Sequence, residues 1–215
     1  YRNPVALFSL EMSNVQLVNR LIANVCEIES GKIKSGQLAG YEWQQLDYKL
    51  KNLMDAPLYV DDTPSLSVFE LRTKARRLVR EHGVKVIIID YLQLMQSEKK
   101  TDNRVNEVAD ISRSLKLMAK EFGVPVICCA QLSRGPEKRD DKRPQLSDLR
   151  DSGAIEQDAD SVMLLYRSDY YDMDNPVSEA EVIIAKNRHG SVGRVKLGWY
   201  GKYTKFQGYE EDRHE

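Results

Sequence analysis

Apolar positions along this chain follow two rhythms. Runs rich in aliphatic and β-branched residues occupy 5–10 (VALFSL), 84–94 (VKVIIIDYLQL) and 124–131 (VPVICCAQ). Such runs read as strands buried on both faces, the type found in the middle of a parallel sheet. The segments between them carry helical signals. Ser13 and Gln16 form a capping-box pattern that opens a helix to about residue 25. Residues 31–56 read as polar and helical, with Trp43, Leu46, Leu50 and Leu53 near a single face, and 57–60 as a short strand. Ser67 and Glu70 make a second capping box, and Gly83 closes that helix after His82. Val105, Val108, Ile111, Leu115, Met118 and Phe122 mark a long amphipathic helix that ends at Gly123.

The rhythm changes after residue 132. Residues 133–148 are dense in charge and contain Pro136 and Pro144, which predicts a mobile loop. Strands are predicted at 161–166 and 181–185. From Arg194 onward the alternating segments RVKLGWYG and YTKFQGY predict an antiparallel hairpin. The whole pattern predicts an α/β fold: a mainly parallel sheet flanked by helices, with an antiparallel β edge at the C-terminus.

Composition narrows the class. The chain has 215 residues, 41% hydrophobic and 30% charged, which suits a soluble globular protein. No apolar run approaches the roughly 20 residues needed to span a bilayer, so no membrane partner is expected. The start, YRNPVALFSLEM, lacks the order of a signal peptide. Net charge is −1, so any nucleic-acid contact must come from local basic patches. Cys26, Cys128 and Cys129 match neither a zinc site nor a disulfide framework, and a reducing, cytoplasmic location is the simplest inference.

Three polar residues stand at the ends of the apolar runs. Asp90 ends VKVIIID, where open α/β sheets bind ligands and where a carboxylate can hold Mg²⁺ against phosphates. It could equally start a turn. Glu11 follows VALFSL and could polarise a water over a γ-phosphate, or simply be a solvated strand end. Gln131 follows VPVICCA, and its amide both donates and accepts. Each alone is a weak signal. If the three strands are parallel neighbours, all three residues converge on one rim.

Lys186 and Arg188 end EVIIAKNRHG, two apart and so on one face of a strand. They read either as an exposed basic pair or as cations for a transferring phosphoryl group. In DLRDSGAIEQDAD (148–160) Arg150 could contact a phosphate, and Gly153 permits close backbone approach. A phosphate cradle of the form G-x-x-x-x-G-K-[ST] is missing, and SGKIKSG at 30–36 has the wrong spacing. The chain, which does not begin with Met, therefore reads as a part of a domain entered after its first core strand.

These stretches carry a resemblance. FSLEM (8–12), IIIDYLQLM (87–95), EVADISRSLKLMAKEFGVPV (107–126), AQLSR (130–134), DKRPQLSDLRDSGAIEQDAD (141–160) and IIAKNRHG (183–190) resemble the C-terminal motor domain of DnaB-type replicative DNA helicases. That family has a RecA-like P-loop ATPase core and works as a hexameric ring. The resemblance implies that residues 1–215 are a partial RecA-like domain lacking its phosphate-binding loop, and that this portion alone hydrolyses ATP poorly. It implies ATP and Mg²⁺ as cofactors, Glu11 as the catalytic glutamate and Asp90 as the Walker B ligand that reaches Mg²⁺ through the nucleotide. Gln131 matches the glutamine linking γ-phosphate state to DNA-binding loops. Lys186 and Arg188 match the basic pair that reaches a neighbouring subunit's nucleotide. Arg150, Asp151 and Gly153 match the loop that grips single-stranded DNA, with Asp151 where many members have Glu. The implied partners are single-stranded DNA, five further copies in a homo-hexamer, a primase and a helicase loader. A RecA-like recombinase or KaiC-like ATPase would share the sheet but not DYLQLM. A non-catalytic ring or interaction module would explain the missing cradle but not the retained polar residues.

Overall fold

The structure, a computed structural model, describes residues 2–97, 103–149, 153–170 and 179–208. In chain order the elements are β1 (Val5–Ser9), α1 (Asn14–Cys26), α2 (Ser30–Ser35), α3 (Gly40–Met54), β2 (Leu58–Asp61), α4 (Val68–His82) and β3 (Val86–Asp90). There follow α5 (Arg104–Phe122), β4 (Val126–Cys128), α6 (Gly153–Asp158), β5 (Ser161–Arg167), β6 (Glu179–Asn187), β7 (Gly193–Tyr200) and β8 (Lys205–Gly208). The described residues form two compact units, one from Tyr1–Leu17, Met54–Ser133 and Leu149–Ala159, the other from Val18–Leu53, Arg134–Asp148 and Asp160–Glu215.

The first unit holds a four-stranded, all-parallel sheet in the order β2-β1-β3-β4. Ala6, Phe8, Ile87 and Ile89 are fully buried in it, and Leu71, Ala75, Val108, Ile111 and Met118 of α4 and α5 join the same core. Each of the larger of these side chains, the Val, Leu, Ile, Phe and Met, contributes about 1.5–3 kcal/mol on burial. The helices begin and end where local chemistry sets them. Ser67 and Glu70 satisfy each other's backbone N–H groups at the start of α4, and Gly83, with φ of 63°, closes it by donating to Val79 O at 3.2 Å. Asn103 caps α5 by accepting from Val105 N–H at 2.9 Å. Ser13 and Gln16 form the expected reciprocal cap before α1.

The second unit holds a four-stranded antiparallel sheet, β5-β6-β7-β8. The strands predicted from the C-terminal half are thus present. They form a sheet of their own, because hairpin-linked strands pair with their immediate neighbours. Alternation is visible in β5, where Val162 and Leu164 are buried while Met163 and Leu165 are exposed. Trp199 packs against Phe206 at 4.5 Å between centroids and under the Arg167 guanidinium at 4.3 Å.

Three expectations are corrected. The single polar helix over 31–56 is two helices, α2 and α3, because Gly36 adopts a left-handed φ of 71° and terminates the first. The strand expected over 124–131 is only three residues long, and Ile127 is 54% exposed rather than buried on both faces. Among the described residues β4 pairs with β3 alone and is an edge strand. The charged stretch 133–148, expected to be a mobile loop, is anchored. Arg139 makes a bidentate pair with buried Asp148 at 2.6 and 2.9 Å, and Arg143 pairs with buried Glu181 of β6 at 2.5–3.1 Å.

Candidate functional site

Parallel pairing decides where the polar strand ends go. Ser9 lies opposite Asp90 in the β1–β3 ladder, and Cys128 opposite Ile89 in the β3–β4 ladder. The carboxyl ends of β1, β3 and β4 are therefore adjacent, with β3 in the middle. Glu11 follows β1 by two residues, Asp90 ends β3, and Gln131 follows β4 by three. The structure brings all three to one rim.

Each is placed by bonds to its own or its neighbours' backbone rather than through its own side chain. Leu10 N–H donates to Asp90 O at 2.7 Å, tying the approach to Glu11 directly to Asp90. Ser9, fully buried, donates its hydroxyl to Met12 O at 2.8 Å and accepts from Met12 N–H at 3.3 Å, which folds the turn that carries Glu11 outward. Glu11 is exposed and Asp90 half-buried. The Asp90–Tyr91 peptide bond is cis. On the other flank, Leu92 N–H donates to Cys129 O at 2.9 Å.

Gln93 is a component that the run-ending pattern does not single out. Its amide nitrogen donates to Gln131 O at 3.2 Å, and its amide oxygen accepts from Gln131 N–H at 3.1 Å. This two-bond clasp uses the backbone of Gln131 and leaves its side-chain amide exposed at the rim. Arg104 at the start of α5 donates to Gln93 O at 2.6 Å and also pairs with Glu107. No local signal marks Gln93, because its amide matches the backbone N–H and C=O of residue 131, which almost any residue there would offer.

A fourth strand end is chemically closed. Asp61 ends β2, opposite Phe8. Burial raises its carboxyl pKa, but the Lys74 ammonium at 2.6 Å and donors from Thr63 outweigh that and hold it below the usual carboxylate range. With its oxygens engaged it offers little to a ligand. Burial pushes the Cys128 thiol up to about 12, and loss of solvent together with Asp90 raises Cys129, so neither is a thiolate at neutral pH. Among the described residues no group of three or more His, Cys, Asp or Glu side chains could hold a metal ion by itself.

Lys186 and Arg188 belong to the second unit. Lys186, in β6 opposite Val162, is half-buried. Arg188 lies one residue past the strand, but its N–H extends the ladder by donating to Asp160 O at 2.8 Å. Its guanidinium stands 3.3 Å from an Asp160 carboxylate oxygen, with both side chains nearly half exposed (45% and 46%). Gly153 opens α6, is exposed, and has nothing within 4 Å of the position a Cβ would take. Arg150 and Asp151 lie outside the described residues.

A parallel α/β sheet with an acid after one strand, an aspartate ending the next and a glutamine after the third has the polar rim at which α/β folds bind ligands, nucleotides among them. Comparison with known proteins is more specific. The family model for the DnaB-like helicase C terminal domain matches residues 1–208, and the chain belongs to that family. It is 49% identical over 208 residues to the replicative DNA helicase DnaB of Geobacillus stearothermophilus, covering 96% of this chain and 46% of that protein. Identity and coverage are the same for the replicative DNA helicase DnaC of Bacillus subtilis strain 168. The ATPase domain of G40P superposes with a TM-score of 0.92 at 41% identity, over 97% of this chain and 75% of that one. A DnaB-like replicative helicase, solved with attention to its interactions with primase, has the same score and identity over 97% of this chain and 51% of its own. The chain spans about half the length of the curated relatives it matches. A recombinase or KaiC-like assignment is set aside by this family match.

Proposed function

We propose that this chain is the ATP-hydrolysing motor portion of a replicative DNA helicase, converting hydrolysis into movement along single-stranded DNA and separation of the duplex. The observation that carries the reading is the convergence of Glu11, Asp90 and Gln131 at the ends of three adjacent parallel strands. Family membership gives that convergence its chemistry.

In this reading Glu11, exposed and free to reach solvent, orients and polarises the attacking water. Asp90 would hold Mg²⁺ against the nucleotide's phosphates by its carboxylate. Bound Mg²⁺ would neutralise charge on the β- and γ-phosphates. Gln131, its backbone clasped by Gln93, presents an amide able to donate to a γ-phosphate oxygen or accept from the attacking water. Lys186 and Arg188 reach the nucleotide of a neighbouring copy, so that hydrolysis needs a correctly placed neighbour in a homo-hexamer. Arg150, Asp151 and Gly153 grip the DNA backbone, Arg150 by charge and Gly153 by admitting the phosphate chain close to the main chain. A primase and a loader are the partners expected of such a motor, and the cytoplasm its site of action. No described helix is long and apolar enough to cross a membrane.

The test is DNA-stimulated ATPase and strand separation by the full-length protein, wild type against Glu11→Gln. Turnover should fall by about 10²–10⁴ while ATP still binds, since only the base is lost. Equal turnover in the two proteins would favour a ring or interaction module whose strand-end polar residues do no chemistry.

A further inference from the structure

The roles given above use the side chain of Gln131 and leave open what aims it. We propose that Gln93 is a positioning residue for Gln131: its amide takes over where the β3–β4 ladder ends and fixes the direction in which the Gln131 side chain leaves the main chain. The inference rests on Gln131 serving the terminal phosphate or the attacking water, as proposed above.

The ladder stops short of the rim. Cys128 lies opposite Ile89, Cys129 N–H donates to Ile89 O at 2.9 Å, and Cys129 O accepts from Leu92 N–H at 2.9 Å. β3 itself ends at Asp90, and the chain then makes a 3₁₀ turn at Leu92–Leu94. Among the described residues no β3 backbone stands opposite residue 131. The Gln93 side chain fills that place. It donates to Gln131 O at 3.2 Å and accepts from Gln131 N–H at 3.1 Å, the exchange that a hydrogen-bonded pair makes in an antiparallel ladder. The N–H and C=O of one residue flank its Cα, so holding both sets the direction of its Cα–Cβ bond.

Gln93 is itself firmly seated. Leu92 before it and Met95 two residues on are buried in the core, and Met95 N–H closes the turn by donating to Leu92 O at 3.0 Å. Arg104 of α5 holds Gln93 O at 2.6 Å from the other side. The clasp thus joins an exposed residue to a turn anchored in the core. Its value lies in geometry more than in stability. Both of its bonds lie at the surface, where water can replace them at little cost to the fold. A reacting group displaced by about 1 Å, by contrast, can cost on the order of 10² in rate. The polarity of the clasp is also specific. A carboxylate in place of the Gln93 amide would still accept from Gln131 N–H, but it would set an oxygen against Gln131 O where the amide sets a donor.

The experiment is steady-state DNA-stimulated ATPase of the full-length protein, with the urea midpoint of each variant. The set is wild type, Gln93→Glu, Gln93→Ala, Gln131→Ala and the Gln93→Ala/Gln131→Ala double variant. Gln93→Glu and Gln93→Ala should each lower kcat by about 10- to 100-fold. The ATP KM should stay within about threefold and the urea midpoint should match wild type, since only the aim of one amide is lost. Gln131→Ala keeps the main chain that Gln93 clasps but removes the side chain it aims. In that background Gln93→Ala should lower kcat no further. An unchanged kcat in the Gln93 variants, a rise in KM alone, or a further fall in the double variant would overturn the assignment. A urea midpoint that falls along with turnover would overturn it too, by giving Gln93 a role in folding. If Gln131→Ala leaves turnover intact, the reading of Gln131 fails first and the inference goes with it. A loss with Gln131→Ala but none with either Gln93 variant removes only the role of Gln93.

Discussion

The two sheets solve the same problem with different materials. In the parallel sheet the central strands β1 and β3 are apolar on both faces, and the burial of Phe8, Ile87 and Ile89 holds them. Polar groups come only at the strand ends, where bonds to the main chain place them. In the antiparallel sheet charge enters the strands themselves. Glu181 sits buried in β6 with Arg143 paired to both its oxygens and Arg194 at 4.0 Å, while Glu179 pairs with Lys196 of β7 at 2.8 Å. Arg143 also lies 4.9 Å over the Tyr166 ring. The difference teaches that at the ends of β1, β3 and β4 the first unit displays carboxylates and an amide with little restraint on their side chains, whereas the second builds ion pairs into its strands.

The largest expected effect, on the proposed function, falls on Arg188. Arg188→Ala in the full-length protein should lower ATP turnover by about 10³–10⁵, the value of an arginine that stabilises a transferring phosphoryl group. Mixing Arg188→Ala subunits with subunits that lack the phosphate-binding lysine should restore part of the activity. Mixed rings that stay inactive would show that Arg188 does not serve a neighbouring copy's nucleotide.

Next come the materials of each sheet. Ile89→Ala should cost about 2–5 kcal/mol, because a fully buried side chain leaves a cavity in a core that cannot collapse around a strand paired on both sides. A shift in urea midpoint below 1 kcal/mol would mean the parallel sheet is not held by its apolar runs. Glu181→Gln should cost on the order of 1–3 kcal/mol, since Arg143 keeps partial solvent contact and Asp141 as a second partner. Arg143 hydrogen bonds hold the Glu181 carboxyl below its ordinary value of 4.5, against the upward push of burial. A depressed folded-state pKa stabilises above the unfolded value, and that stability is lost as pH falls through the folded one. The gap between wild type and Glu181→Gln should thus be full at pH 7 and narrow progressively below about pH 4.5. A gap that is constant with pH would assign the cost to packing instead of charge.

The smallest effect is local. Ser67→Ala should cost about 1 kcal/mol by opening the capping box of α4, without altering ATP binding. A change in turnover per bound ATP would link that helix to the site more tightly than its geometry indicates.

Local chemistry and hydrophobic rhythm were enough to place the capped helices α1, α4 and α5, the strands β1 and β3, and the acids that follow those two strands. Periodicity and caps are properties of neighbouring residues, so a single sequence contains them. The strands of the second sheet were also visible, because alternation marks a half-buried strand wherever it lies. Which strand lies beside which was not legible, and that is what makes Glu11, Asp90 and Gln131 neighbours. Parallel pairing joins residues 5–9, 58–61, 86–90 and 126–128 across long sequence separations, and no local signal encodes that order. The Gln93 clasp, the closure of Asp61 by Lys74 and the anchoring of the charged stretch by Asp148 and Glu181 are of the same kind. Each is a long-side-chain contact whose partner is chosen by space rather than by spacing along the chain. The sequence by itself determined the elements and the kinds of chemistry available; tertiary structure alone decided which polar groups meet, because burial and pairing act between residues far apart in the chain.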